Sequence, residues 1–282
     1  MDKQLQRLRQ AREQKPNYRE VLDLAERMLV EKCRARDQQP SPSIPIDRVK
    51  AQKHAAEGIP YLRFSELVFD PSQVAQTFSC LLESFQQLNP ARFRPLKEAM
   101  EAKKWEFDRV LGRLLRNQVS EKTLEEEMGP EGSLLFFFLV QSLKPVLENL
   151  AEEWRGVFKD LPWNQGYCPF CGGLPGMAEI RAEGRRFLHC LLCGTEWESP
   201  RLQCPYCQSG DPEQHTYFQV EGEIENRVDV CLACRHYLKT VDSRELEGPL
   251  DFEVEDYLTL HLDHLAQEEG YLRPEKLFFE AP

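Results

Sequence analysis

Apolar side chains recur at helical spacing from residue 17 to 36, where Val21, Leu22, Leu24, Ala25, Met28, Leu29 and Cys33 share a face. This pattern predicts an amphipathic helix. Residues 38–47 hold three prolines and two serines and read as a linker or an extended crossing. Asp70-Pro71 opens a second helix, with Asp as the cap and Pro in the first turn, ending before Asn89-Pro90. Further helical patterns cover about residues 91–118 and 121–128. After Gly129-Pro130 a long apolar helix covers about 133–158, with Leu134, Phe137, Phe138, Leu143, Val146 and Leu150 facing inward and a kink expected at Pro145. The run 134–140 reads as bundle core. The pattern changes after Trp163-Asn164-Gln165-Gly166. Short β-forming segments at 177–180, 186–189, 215–220 and 227–230 suit hairpins. Helical spacing returns through Val254, Leu258, Leu262 and Leu265 up to Gly270, and the apolar Leu277-Phe278-Phe279 is suited to docking on another unit.

Charge divides the 282 residues at the same place. Residues 1–160 carry 26 Lys plus Arg against 25 Asp plus Glu, and residues 161–282 carry ten against 22. Eight of the ten cysteines lie between Cys168 and Cys234. This double shift predicts a helical domain over 1–160 and a cysteine-bearing region after it. A region with a net charge of −12 repels phosphate backbones, which disfavours nucleic acid as a partner and favours a basic one. The longest strictly apolar run, 134–140, is too short to span a bilayer, and residues 1–14 are polar without the apolar core of a secretory leader. The expectation is a cytoplasmic protein with no membrane span. The helical part shows no Gly-rich phosphate loop and no nucleophile elbow.

Cys168-Pro-Phe-Cys171, Cys190-Leu-Leu-Cys193, Cys204-Pro-Tyr-Cys207 and Cys231-Leu-Ala-Cys234 are four C-x-x-C pairs within 67 residues, separated by 18, ten and 23 residues. Two residues between cysteines let a tight turn bring both sulfurs to one ion, with backbone amides pointing at the thiolates. Gly172 and Gly194 follow the second Cys of their pairs, where glycine tolerates a positive φ. Two such turns complete a tetrahedral S₄ site suited to zinc or a single iron. A cytosolic chain disfavours the disulfide alternative. Consecutive pairing closes shorter loops than a cross-brace and is favoured. It gives one site from Cys168, Cys171, Cys190 and Cys193, over about 161–202, and one from Cys204, Cys207, Cys231 and Cys234, over about 203–282 with the C-terminal helix. The fold class is therefore α+β and multidomain: an N-terminal all-α domain, two zinc-ribbon modules of four cysteines each, and a C-terminal helix.

A closed S₄ site leaves no coordination position for water or substrate, so it is structural or an electron carrier rather than a hydrolytic centre. No catalytic residue is assigned, and the chain reads as a non-enzyme. Cys33 and Cys80 read as core packing. His189 and His236 read as neighbours of the ligand cysteines. Thr195-Glu196-Trp197 either fixes the second turn or presents an indole to a partner. His261 and His264 read as a solvated helix face.

These cysteine segments resemble the formate dehydrogenase accessory protein family, FdhE. The resemblance is carried by Cys168-Pro-Phe-Cys171-Gly172, by Leu188-His189-Cys190-Leu-Leu-Cys193-Gly-Thr195-Glu196-Trp197, by Cys204-Pro-Tyr-Cys207, and by Cys231-Leu-Ala-Cys234-Arg-His-Tyr237-Leu238-Lys239. It ends with Leu262-Asp263 and Glu268-Glu269-Gly270, spanning about 105 residues. The helical part matches in length and character alone. The resemblance implies a helical domain with two rubredoxin-like modules and two ions, iron or zinc, each held by four cysteines. It also implies a cytoplasmic, chaperone-like assembly factor that binds the formate dehydrogenase catalytic subunit. A homo-oligomer is compatible with this reading. The alternative is a rubredoxin-like redox protein that passes electrons or senses oxygen during cofactor maturation. A dithiol form of that reading, in sulfur handling, requires metal-free reactive thiols.

Overall fold

The computed structural model describes residues 2–38, 44–64, 67, 69–102, 104–158, 161–246, 248 and 250–274. The chain packs as two compact units, Met1–Ile44 with Arg63–Leu150, and Pro45–Leu62 with Ala151–Pro282. Packing thus groups the chain differently from a cut at residue 160. The reason is local to the second unit: the Tyr61 and Leu62 amides donate to the Pro169 and Phe170 carbonyls at 2.9 and 2.7 Å. The Tyr61 ring lies 3.9 Å from that of Trp154.

Among the described residues, eight helices come first in the chain: α1 (Asp2–Gln14), α2 (Arg19–Gln38), α3 (Arg48–Glu57), α4 (Pro71–Leu88), α5 (Pro90–Glu101), α6 (Phe107–Leu115), α7 (Glu121–Met128) and α8 (Pro130–Phe158). α3 and the last turns of α8 belong to the second unit. The helix start at Asp70-Pro71 is as expected, with Asp70 accepting from the Ser72 amide at 2.9 Å. Asn89 serves two helices. Its amide closes α4 on the Phe85 carbonyl at 3.0 Å, and its side chain caps α5 through the Arg92 amide at 3.2 Å.

The helical pattern expected over 91–118 is divided into two helices, α5 and α6. Between them the Trp105 ring turns toward Phe78 and Phe107, at 5.9 and 6.4 Å, which a continuous helix would not allow. The polar stretch 2–14 is also helical. Leu8 is 1% exposed, and Arg9–Glu26 and Arg12–Asp23 pairs at 2.7 Å tie α1 to α2.

α8 bears on the reading of residues 134–140 as core. By length and composition it is apolar enough to cross a membrane, and 78% of its apolar window is buried within the protein. One inward stripe is also too narrow a description, because Leu135, Phe138, Leu139, Leu143 and Leu147 are all at most 1% exposed. Phe138 meets Phe78, Phe85 and Phe93 edge-on at 5.3–5.9 Å, the geometry aromatic quadrupoles prefer.

The second unit holds β1 (Met177–Ile180), β2 (Arg186–His189), β3 (Glu196–Ser199), β4 (His215–Phe218), β5 (Asn226–Cys231) and β6 (Tyr237–Asp242), then α9 (Phe252–Leu258) and α10 (Leu260–Glu268). The strands form one sheet in the order β3-β2-β1-β6-β5-β4. Each module is an antiparallel meander, and β1 joins β6 in parallel, with Met177 opposite Lys239 and Ile180 opposite Asp242. The sequence reading missed β3 and β6. β3 is only four residues, Glu-Trp-Glu-Ser, with a single large apolar side chain, and β6 carries a lysine in its middle.

That lysine is buried. Lys239 Nζ sits 2.9 Å from Asp256 and 2.6 Å from Asp263, and it also donates to the Asp256 carbonyl at 2.7 Å. Arg273 pairs with the same two carboxylates, and Tyr237 donates to Asp263 at 2.7 Å. This network ties α9 and α10 to β6. Burial alone would raise the Asp256 carboxyl, but Arg273 and Lys239 bring it down to about 2 from 3.8. A carboxylate with a depressed folded-state pKa stabilises above its unfolded value and loses that contribution as pH falls through the folded one. Asp256→Asn is therefore expected to cost about 2 kcal/mol at neutral pH. In urea unfolding followed by circular dichroism, the difference from the parent should shrink as pH falls from about 4 toward about 2. A difference that persists at the acid end would show that the carboxylate charge is not the source.

Candidate metal centres

Each cysteine pair sits in a turn of the same design. The residue after the second Cys returns its amide to the carbonyl of the first: Gly172 to Cys168, Gly194 to Cys190, Gln208 to Cys204 and Arg235 to Cys231, all at 2.9–3.0 Å. The first Cys amide in turn donates to the carbonyl five residues on, in Gly173, Thr195, Ser209 and His236, at 2.8–3.0 Å. This closure requires a left-handed residue, and φ is +73°, +72°, +61° and +61° at the four positions. Glycine was expected at the first two. The second module meets the same requirement with Gln208 and Arg235, at the local steric cost that side chains incur in this region.

Two elements place the sulfurs in each module. One turn precedes the first strand of a meander, and the other joins its second strand to its third. The strand pairing β2–β3 and β5–β6 thus presents the later turn to the earlier one. Consecutive pairing is what results: Cys168, Cys171, Cys190 and Cys193 form one cluster, and Cys204, Cys207, Cys231 and Cys234 the other. Sulfur separations are 3.6 Å for Cys168–Cys193, 3.5 Å for Cys171–Cys190, 3.6 Å for Cys204–Cys234 and 3.7 Å for Cys207–Cys231. A disulfide needs about 2.05 Å. Tetrahedral thiolates around zinc at about 2.3 Å stand about 3.8 Å apart, so these donor sets fit a bound ion. The Gly173 amide reaches Cys171 Sγ at 3.3 Å, and Thr195 Oγ1 lies 3.2 Å from Cys193 Sγ.

The electrostatics fit the same requirement. Burial drives the Cys171 and Cys193 thiols well up, whereas hydrogen bonds from the other three cysteines drive Cys190 well down. In the second cluster burial raises Cys204 strongly and pushes Cys234 up to about 11. Burial also acts on Cys231, but the Cys234 and Ala233 amides together with the Cys207 and Cys234 side chains outweigh it and bring that thiol down. Protons alone leave each cluster with thiols whose ionisation is opposed. A divalent cation would compensate all four charges more evenly.

The remaining candidates take defined places. His189 is buried, 3.2 Å from Glu179 and stacked on the Phe252 ring at 3.5 Å. Glu179, His189 and Glu196 also converge as a further acidic and imidazole group. Arg181 already spans it, at 2.7 Å from Glu179 and 2.5 Å from Glu196, so a guanidinium supplies the cation there. Sequence reasoning missed Glu179. The available signal was a carboxylate in the middle of Met177–Ile180, a strand buried at every position.

Trp197 is 5% exposed and donates to the Gln165 carbonyl at 3.2 Å, so it fixes the module from inside. His236 is half-buried, 5.5 Å from the Tyr206 ring. His264 is exposed beside Glu268, while His261 pairs with Glu223 at 2.8 Å. Cys33 and Cys80 are half-buried thiols, both raised by burial. Leu277, Phe278 and Phe279 lie outside the described residues.

Fold and clusters together define a class: an α+β protein with a helical unit and a unit in which two four-cysteine turn-and-meander modules share one sheet. Residues 167–201 match the family model for the FdhE central domain. The chain is 27% identical over 241 residues to the Protein FdhE homolog of Aquifex aeolicus, covering 84% of this chain and 80% of that one. It is 34% identical over 111 residues to Protein FdhE of Escherichia coli O1:K1, covering 38% of this chain and 35% of that one. The crystal structure of the FdhE protein from Pseudomonas aeruginosa superposes with a TM-score of 0.63 at 23% identity, over 99% of this chain and 94% of that one, and shows the same fold. The matched family model, both relatives and the solved structure all carry the FdhE name, and the chain is similar to each of them.

Gly172 provides a direct test of the turn geometry. At φ +73°, with Pro60 Cγ 3.1 Å from where a Cβ would stand, Gly172→Ala is expected to destabilise the second unit by about 1–2 kcal/mol. Thermal unfolding checks this, and an unchanged midpoint would show that the turn tolerates a side chain.

Proposed function

We propose that the chain is a non-catalytic maturation factor for formate dehydrogenase that binds the enzyme's catalytic subunit in the cytoplasm. It does so on a scaffold held by two metal ions. The eight cysteines Cys168, Cys171, Cys190, Cys193, Cys204, Cys207, Cys231 and Cys234 are the ligands, four to each ion. One observation carries the reading: two four-sulfur clusters with tetrahedral spacing, one of them inside the residues that match the FdhE central domain. Four protein thiolates complete a tetrahedral shell, which supports a structural or electron-carrying ion over one that activates water. All ten cysteines are free thiols, as suits a reducing compartment. The link to formate dehydrogenase comes from the family resemblance of the cysteine segments.

The partner surface is proposed on charge. The second unit's region is strongly acidic, which supports a basic face on the bound subunit. Two measurements test the reading. Purified without oxygen from cells given no added metal, the chain is expected to carry two ions, counted by elemental analysis. Zinc without colour makes the sites structural. Iron with thiolate-to-iron charge-transfer bands on oxidation turns the reading toward electron transfer. A tagged chain is also expected to retain the formate dehydrogenase catalytic subunit at low salt and release it as ionic strength rises. Failure to retain it under any salt condition would remove the partner from the proposal.

A further inference from the structure

The two clusters differ in access. In the first, the four cysteines are 0–3% exposed. Its first turn is covered from outside: Tyr61 and Leu62 hydrogen-bond along Pro169 and Phe170, Pro60 lies over Gly172, and Phe170 is closed in by Trp154 and Phe158 at 6.4 and 5.7 Å. In the second cluster Cys204 and Cys231 are each 3% exposed, but Cys207 is exposed and Cys234 half-buried. The residues between its last two cysteines, Leu232 and Ala233, also face solvent. This cluster is braced from within the second unit: Tyr206 donates to the Pro175 carbonyl at 3.0 Å, and the segment after α10 covers the strand side. Leu272 exchanges backbone hydrogen bonds with Arg235 and Tyr237 at 3.0 and 3.1 Å, and Arg235 lies over the Tyr271 ring at 4.0 Å. That brace leaves Cys207 in water.

We propose that the second cluster is the exchangeable metal site, opened at Cys207, and that the first is permanent. This rests on the reading that the eight cysteines hold two ions. The ligand class that would enter is a thiol, carried by a peptide or a small molecule, that accepts or delivers a soft metal ion. Cys207 is the ligand that lets go. As an incoming thiol replaces it, that thiol gives up its proton and Cys207 Sγ takes one, so charge balances and no electron is transferred. Cys204, Cys231 and Cys234 keep hold during the replacement. The covered cluster has no such starting point, because its turns must open before any ligand is reached, and opening a buried segment costs more than using an exposed one.

The full chain loaded with zinc tests this without any activity assay. Released into a chromogenic chelator, half of the zinc is expected to leave about tenfold faster than the rest, or more, as local opening governs access. A brief N-ethylmaleimide pulse read by peptide mass spectrometry is expected to label Cys207 first and the four cysteines of the first cluster last. The variant Cys207→Ser is expected to keep one tightly held ion and the parent's far-ultraviolet spectrum. A single release rate, or early label in Cys168, Cys171, Cys190 or Cys193, overturns the assignment. Loss of both ions in Cys207→Ser overturns the independence of the two sites. A parent chain that never binds two zinc ions overturns the two-site reading beneath it, which the loading step reports separately from the release rates.

Discussion

Four sulfurs held within 3.5–3.7 Å of their neighbours cannot all carry charge unless something positive sits among them. Most of the second unit is arranged around that constraint. The turns that gather the sulfurs are closed by main-chain hydrogen bonds, so the residues between the cysteines are free to differ: Pro-Phe, Leu-Leu, Pro-Tyr and Leu-Ala. Strand pairing then fixes how the turns face one another. Because β1 and β6 share hydrogen bonds, the two clusters are held by one sheet and not by two separate beads.

What the sequence disclosed follows the range of the interactions. The cysteine turns were legible because their logic is complete within six residues, and Asp70 was legible because a cap is local. The β1–β6 seam was not. It pairs residues about sixty positions apart, and β6 hides behind a lysine that looks like a surface residue until Asp256 and Asp263 are brought to it. The association of residues 45–62 with the second unit was also out of reach. It rests on backbone hydrogen bonds to Pro169 and Phe170, which leave no compositional trace. At Gln208 and Arg235 the glycine signal failed, since local closure there overrides the usual preference for glycine at positive φ.

The acidity of the cysteine-bearing region survives its internal ion pairing, because each pair removes a carboxylate together with a cation. Of the few cations after residue 160, Arg181, Arg185, Arg227, Lys239, Arg244 and Arg273 are all engaged in ion pairs within the unit. Burial of Lys239 places one of those charges wholly inside. Positive charge is used to hold elements together, and the surplus of carboxylates is left to dominate what an approaching partner meets. Such a field steers cationic surfaces inward and weakens phosphate contacts, with a reach set by the ionic strength.

The interleaved make-up of the two units also bears on how the molecule is made. A ribosome releases Pro45–Leu62 long before the residues it pairs with, and all of Arg63–Leu150 emerges in between. The intervening stretch belongs to the other unit and can settle while Tyr61 and Leu62 wait with unfilled amides. The entropy of closing so long a loop grows only slowly with its length, so the delay costs time more than stability. β1 waits in the same way, as an open edge until Tyr237–Asp242 arrives. During that interval a nascent chain carries an unpaired strand and reactive thiols side by side. Open strand edges of this kind are the general hazard that intermediates of larger chains present.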